Sequence, residues 1–366
     1  MSTGPPKASR LGRVALDCRD EPLPAGAGAA VPDGPLTIAQ LAALAGVSTA
    51  TVSKVVNGRS DVAASTREQI EELIRSRGYR RQRRPAKSAA LIDVLFHELR
   101  GLYAIEILNG VQEVAREHRL GVVVSELGGR HVPGRDWVEE VLARRPVGVV
   151  SVYSGLDPDQ TDRLYSRDIP LVQLDPTGDP DHGAPSVGSG NWNGGLSATR
   201  HLIGLGHRRI GVVAGPGDME AARARLDGHR AALDLAGIRP DPALERHGDF
   251  NIATGRDLAL ELLRLDDPPT AVVAGNDGTA LGVYHAAAAL GVRVPEDLSV
   301  VGFDDLPKAK WMIPPLTTVR QPLKDMGAAA ARMVVGLAAG EALPQQRVEL
   351  ATELVVREST APPRER

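Results

Sequence analysis

Between positions 48 and 57 the chain reads Ser48-Thr49-Ala50-Thr51-Val52-Ser53-Lys54-Val55-Val56-Asn57, a mix of hydroxyl, small and cationic side chains suited to nucleic acid. On a helix, Val52, Val55 and Val56 share one face and must pack inward, because residues three and four apart are neighbours. That turns Thr49, Ala50, Ser53, Lys54 and Asn57 outward. Thr49 and Ala50 are small enough at a helix start to approach base edges, a methyl touching thymine or a hydroxyl taking either role, and Lys54 can donate to guanine or to a phosphate. Ser53, Asn57, Thr37 and Thr66 suit phosphate oxygens, contacts that position a protein without specifying sequence.

A second set comprises Asp175, Asn276 and Asp304, which follow short apolar runs, with Arg225 of Arg225-Leu226-Asp227-Gly228 and Phe250. Planar, multidentate polar groups beside an aromatic ring fit the hydroxyls and the C–H face of a sugar. Arg225 and Asp304 could instead form an internal ion pair, Asn276 could simply cap a helix, and Phe250 could be core. Catalytic chemistry is hard to find. Gly215-Pro216-Gly217-Asp218-Met219-Glu220 fails the dinucleotide fingerprint, with Glu at its sixth position and a proline stiffening the turn. There is no Walker loop, nucleophile elbow or HExxH, and the nine histidines show no metal spacing. The single cysteine, Cys18, excludes an internal disulfide framework. No enzyme activity, metal or cofactor is expected.

The elements that must carry these residues fall into two groups. Thr37 is a plausible N-cap for a helix with Ile38, Leu41, Ala42 and Ala45 inward. Gly46 breaks that helix, Ser48 can cap the next, and a third fits Ser65 to Arg77, with Ile70, Leu73 and Ile74 inward. Three short helices, the first two joined by a tight Gly-Val-Ser turn, make a helix-turn-helix module over 36–80. Charge agrees: residues 36–90 hold ten Lys/Arg against four Asp/Glu, in a chain whose net charge is −3. A basic module on an acidic body is the layout expected when one part meets phosphates.

Beyond a basic linker at 81–90, apolar runs read as buried parallel strands at Leu91–Phe96, Gly121–Ser125, Val147–Val152, Leu171–Leu174, Ile210–Ala214, Ala271–Ala274 and Ser299–Gly302. Amphipathic stretches separate them at Tyr103–His118, Trp137–Arg144, Trp192–Leu205, Ala221–Ala236, Thr254–Leu265 and Thr279–Leu290. The alternation implies parallel sheets wrapped by helices. The length of 91–359 suggests two such subdomains with a ligand cleft between them. Residues 1–35, rich in Gly, Pro and Ala, read as a disordered tail, and 360–366 as a short tail. With no signal-peptide pattern and no membrane-length apolar run, the cytoplasm is the expected location.

Leu36 to Asn57 resembles the headpiece signature of the LacI/GalR family of bacterial transcriptional regulators, and Val62, Thr66-Arg67 and Tyr79 extend the match. The resemblance continues through Leu202-Ile203-Gly204-Leu205-Gly206-His207-Arg208-Arg209-Ile210. It is strong again at Pro295-Glu296-Asp297-Leu298-Ser299-Val300-Val301-Gly302-Phe303-Asp304-Asp305 and Pro314-Pro315-Leu316-Thr317-Thr318-Val319, so it covers about 36–359. It implies an all-α helix-turn-helix headpiece plus an α/β sensor of two doubly wound parallel-sheet subdomains, like a type I periplasmic binding protein. It also implies a homodimer on a pseudo-palindromic double-stranded operator, controlled by a small-molecule effector. A sugar is the expected effector, with a nucleobase or nucleoside as the alternative; the rival reading is a sugar-binding protein acting without DNA.

By the same resemblance Arg225, Asn276 and Asp304 contact the effector, and Phe96, Tyr103 and His97 line the facing wall. One departure stands in the linker, Arg80-Arg81-Gln82-Arg83-Arg84-Pro85-Ala86-Lys87-Ser88. Pro85 replaces a small helical residue, and Ser88 replaces the leucine with which family members wedge the minor groove. Proline inside a short helix costs about 3 kcal/mol, so no ordinary hinge helix is expected. The stretch reads either as a solvated linker or as an arm that places Arg83 and Arg84 on phosphates or in a narrow minor groove.

Overall fold

The computed structural model describes residues 38–56, 62–77, 88–99, 101–176 and 184–364. Thr37, Asn57, Arg83 and Arg84, with the rest of the 1–37 and 78–87 stretches, lie outside them. The chain divides into two units after Ala86.

The first unit holds α1 (Ile38–Ala45), α2 (Thr49–Val56) and α3 (Ala64–Arg77). Gly46 adopts φ +65°, a left-handed conformation that glycine takes without steric cost, and it turns the chain so that α1 and α2 meet at 110°. Ser48 starts α2: its Oγ accepts from the Thr51 amide at 3.1 Å. Leu41, Ala42, Ala45, Val52, Val55 and Ile70 form the buried core of the three helices. The inward positions are those the helical spacing requires.

The second unit has two lobes. Lobe one begins with β1 (Leu91–Phe96), α4 (Leu102–Glu117), β2 (Gly121–Glu126), α5 (Arg135–Arg144), β3 (Gly148–Val152), α6 (Pro158–Tyr165), β4 (Leu171–Leu174) and β5 (Ser186–Ser189). The chain then builds lobe two from α7 (Asn191–Gly204), β6 (Ile210–Ala214), α8 (Glu220–Leu235), β7 (Glu245–His247), α9 (Ile252–Leu263), β8 (Ala271–Ala274), α10 (Asp277–Ala289), β9 (Ser299–Asp304) and β10 (Thr317–Arg320). It returns to lobe one as α11 (Leu323–Ala338) and β11 (Arg347–Leu350), and crosses once more to end lobe two with β12 (Glu353–Val355). The sheets run β11-β5-β4-β3-β1-β2 and β12-β10-β9-β8-β6-β7.

Among the described residues, every strand pairing is parallel except one. The exception is the edge strand β12, which runs antiparallel to β10. The reason is topological: β10 runs toward the lobe junction, and β12 leaves it two residues after β11, with no crossover helix to reverse it. The chain crosses between lobes at Gly190, at Gln321–Pro322 and at Ala351–Thr352, and polar bonds tie these crossings together. Ser189 Oγ donates to Gln321 Oε1 (2.6 Å), the Gly190 amide to the Leu350 carbonyl (2.8 Å), and Thr352 Oγ1 to the Gly190 carbonyl (3.1 Å).

Of the expected tail 360–366, residues 360–364 are laid down on lobe two. The Ala361 amide donates to Ser299 Oγ (3.0 Å), its carbonyl faces His207 Nε2 (2.9 Å), and Arg364 pairs with Asp297 (3.0 Å).

Candidate functional site

On the headpiece, Thr49, Ala50 and Lys54 are exposed on α2, while Ser53 and, on α3, Thr66 are half-buried. The face opposite Val52 and Val55 is therefore a small-residue surface ending in one cation, as the helical spacing requires.

The second unit encloses a cavity of about 470 Å³ between its lobes. Its walls come from the carboxyl ends of strands, where open α/β sheets gather their ligand groups. Lobe one supplies Phe96 at the end of β1 and His97 after it, Tyr103 at the start of α4, His131 from the loop after β2, and Tyr153 after β3. Lobe two supplies Pro216 and Met219 after β6, Arg225 on α8, Asp249 to Ile252 after β7, Asn276 after β8, and Asp304, Leu306 and Lys308 from the end of β9 onward.

Arg225 is the pivot of the lobe-two wall. It is 6% exposed. Its Nε donates to Asn191 Oδ1 (2.8 Å) and its Nη1 to the Gly275 carbonyl (2.7 Å). Its guanidinium carbon stands 3.8 Å from the centre of the Phe303 ring and 5.6 Å from that of Phe250. Nη2 is buried and has no hydrogen-bond partner among the described residues, so a planar donor group is held rigid with spare capacity.

Asp304 Oδ1 lies 3.7 Å from Arg225 Nη1 and accepts from Gln321 Nε2 at 2.7 Å. Burial pushes its carboxyl up to about 6, against the opposing pull of Arg225. Through Gln321, which also receives the Ser189 bond, this cavity carboxylate is wired to two of the three lobe crossings. Beneath it, fully buried Asp277 accepts from the Leu306 amide (2.8 Å) and Thr318 Oγ1 (2.6 Å), fixing the loop that carries Leu306 and Lys308.

Asn276 does cap a helix: its Oδ1 accepts from the Thr279 amide at 2.7 Å, which leaves its Nδ2 and the second lone pair of Oδ1 for another partner. Phe250 takes φ +66°, and its ring lies over two glycines. A Cβ at Gly215 would fall 2.0 Å from Phe250 Cζ, and one at Gly275 would fall 3.0 Å from Cε1. Neither strand end tolerates a side chain if the ring is to face the cavity.

Across the cavity Tyr103 and Tyr153 pack with ring centres 5.2 Å apart. His97 stacks on His131 at 4.1 Å, only 3° from parallel. His131 Nε2 then reaches Asp218 Oδ2 of lobe two at 3.3 Å, and Arg347 of lobe one pairs with Glu220 of lobe two.

The cavity thus brings together Phe96, Tyr103, Arg225, Phe250, Asn276 and Asp304. Asp175 is not in the wall. It is 3% exposed and sits behind Tyr103, whose hydroxyl donates to its Oδ2 at 2.7 Å. Placing Asp175 at a strand end was right as geometry, but a neighbouring side chain occupies the carboxylate. The reading missed His131, Tyr153, Met219, Asp249 and Lys308. Tyr153 directly follows the apolar run 147–152, and His131 lies in the loop after the preceding expected strand, Gly121–Ser125. The strand-end rule, applied to every run, would have reached both.

A helix-turn-helix module and a two-lobed, ligand-sized cleft on one chain define a class of protein, the effector-responsive transcriptional regulators. Comparison with known proteins agrees. Residues 37–82 match the family described as bacterial regulatory proteins, lacI family, and 199–360 match a periplasmic binding protein-like domain. The transcriptional regulator CelR of Thermobifida fusca is 37% identical over 339 residues, 88% of this chain and 98% of CelR. The repressor CytR of Escherichia coli K12 is 30% identical over 88% of this chain and 96% of its own length. Among solved structures, a CelR–cellobiose complex matches with a TM-score of 0.68 at 34% identity, covering 88% of this chain and 99% of that one. The lac repressor dimer bound to operator and the anti-inducer ONPF matches with a TM-score of 0.67 at 32% identity, covering 89% and 99%. The chain belongs to the LacI family of bacterial regulatory proteins. Among the described residues, no single helix is long and apolar enough to cross a membrane.

Proposed function

We propose that this regulator binds a pseudo-palindromic operator as a homodimer, acts as a repressor in the cytoplasm, and changes its operator affinity when a sugar occupies the cavity between the sensor lobes. In this reading residues 36–80 are the headpiece, 81–90 a basic linker, and 91–359 the effector-binding and dimerisation domain. Thr49 and Ala50 meet base edges, and Lys54 meets guanine or phosphate. Ser53, Thr66, Thr37 and Asn57 hold phosphates, with Arg83 and Arg84 adding linker contacts. Binding, not catalysis, is the whole activity.

The observation that carries the effector reading is Arg225. It is a buried planar cation held by two hydrogen bonds with Nη2 to spare, beside Asp304, Asn276 and the Phe250 face. Multidentate donors and acceptors around an aromatic face suit a polyol. Ligand binding favours one relation of the two lobes, and its effect on DNA affinity equals its preference for that state. The stacked His97–His131 pair and Phe250 also offer flat faces to a nucleobase, so nucleosides belong in the same screen.

The test is thermal-shift screening of sugars and nucleosides on the natural chain, Arg225→Ala and Asp304→Asn. A ligand that raises the melting temperature of the natural chain should fail to do so in either variant. A shift preserved in both would refute this cavity as the effector site.

A further inference from the structure

Asp175 stands at the carboxyl end of β4, the kind of position from which Asp304 reaches the cavity at the end of β9, and yet it does not line the cavity. The side chain in its way is Tyr103. The phenol has one hydrogen and a carboxylate can only accept, so the 2.7 Å bond commits that hydrogen to Asp175 Oδ2. Toward the cavity Tyr103 offers a ring face and an oxygen that can only accept. Tyr153 packs against it at 5.2 Å, doubling the barrier. On the far side of Asp175 lies a void of about 40 Å³, bordered also by Ser186, Ser189, Asn191, Glu220 and Arg347. Its walls mix these polar groups with Pro176, Ala221, Ala224 and Val348, and its volume is on the scale of about one water. Tyr103, backed by Tyr153, thus stands between the cavity and Asp175, and Asp175 in turn borders the void.

We infer that Tyr103 is the specificity-determining stop at the deep end of the effector cavity, setting the longest ligand that fits and withholding the Asp175 carboxylate from it. This rests on the effector reading proposed above and deepens it. A ligand that ends at Tyr103 meets an apolar face and a single acceptor. One that carries a further sugar unit has nowhere to put it. Truncating Tyr103 removes the ring and opens the cavity toward Asp175, exposing a carboxylate able to accept from two hydroxyls. The chain-length preference then lengthens. Tyr103→Phe keeps the ring and loses only the bond to Asp175, so the preference stays as it is.

The experiment is a thermal-shift and calorimetric ranking of mono-, di- and trisaccharides of glucose, galactose, mannose and xylose on the full chain and both variants. Far-UV circular dichroism and unaided melting report whether each variant folds. The expected result is that Tyr103→Ala gains about ten-fold or more for the next longer member of the preferred series relative to the preferred one, the scale on which pocket shape discriminates. Tyr103→Phe keeps the natural ranking even if all its affinities fall together. An unchanged ranking in Tyr103→Ala overturns the inference while leaving the sugar site standing. So does a ranking altered equally by Tyr103→Phe, which would place the effect in the bond to Asp175 instead of the ring. If no saccharide binds the natural chain or either variant, the sugar reading itself fails, and the inference falls with it.

Discussion

Replacing Arg225 by alanine tests the cavity's energetics more sharply than any other single change. It removes the donors to Asn191 Oδ1 and the Gly275 carbonyl, the cation over the Phe303 ring, and the nearest positive charge to Asp304. Deleting one partner of a buried ion pair costs about 3–5 kcal/mol, because the other charge is left buried and uncompensated. For a sensor unit of this size each kcal/mol lowers the melting temperature by about 2 °C, which gives a fall of about 8 °C. The pH dependence sets this loss apart from simple cavity creation. Asp304 already has its carboxyl pushed up to about 6 by burial, with Arg225 pulling the other way. Without Arg225 it moves higher still. A carboxyl raised above its unfolded value of about 3.9 contributes stability at low pH and loses it as pH rises through the folded value. The gap between natural chain and variant should therefore be smaller near pH 5, where only the lost hydrogen bonds and ring contact count, and widest near pH 8. Adding Asp304→Asn removes the stranded charge, so the double variant should melt above Arg225→Ala at pH 8 and lose the extra pH dependence. Differential scanning calorimetry across this range decides it. An equal deficit at both pH values, or a double variant less stable than the single one, would refute the electrostatic account of this wall.

Asn276→Ala should remove the cap of α10, costing about 1 kcal/mol and hence about 2 °C in melting temperature, and should abolish any effector-induced shift. A retained shift would confine Asn276 to capping. His131→Ala breaks the bridge to Asp218 at the cavity mouth. Both partners are partly exposed and the pair is worth under about 1 kcal/mol, so effector release in stopped flow should quicken by at most about five-fold, whereas no change would leave the bridge without a role in closure. Lys54→Ala should weaken operator binding and flatten its salt slope by about one unit if the ammonium meets a phosphate. Thr49→Ala should change base preference while leaving that slope intact.

The headpiece was readable because its rules are local. Gly46 breaks one helix, Ser48 caps the next, and the spacing of Val52 and Val55 chooses the buried face without reference to the rest of the chain. Central strands were readable for a related reason: buried on both faces, they appear as unbroken apolar runs such as Ile210–Ala214. Edge and junction strands were not. Ser-Val-Gly-Ser at β5 and Arg-Val-Glu-Leu at β11 carry little apolar signature, because one flank faces solvent or the lobe junction. Helix α11 escaped because its contact surface is built from small residues. A Cβ at Gly327 would fall 2.2 Å from the Ile107 carbonyl oxygen, and one at Gly110 would fall 1.8 Å from that of Lys324, so α4 and α11 touch backbone to backbone. In α6 the capping box of Asp157 and Gln160 was present in the sequence but went unread. At the cavity, strand ends indicated where polar groups emerge, but not which neighbour claims them. Asp175 shows that limit, since the deciding residue, Tyr103, lies seventy-two positions away.

The central claim, that one chain couples a sugar-sized cleft to operator binding, is tested most directly by fluorescence anisotropy. The full-length protein is titrated onto a pseudo-palindromic duplex selected from random DNA, with and without the best ligand from the thermal screen. The account predicts that the ligand changes operator affinity five- to about 150-fold, that the duplex changes ligand affinity by the same factor, and that Arg225→Ala abolishes both effects while still binding the duplex. Operator affinity that stays the same at saturating ligand would contradict it.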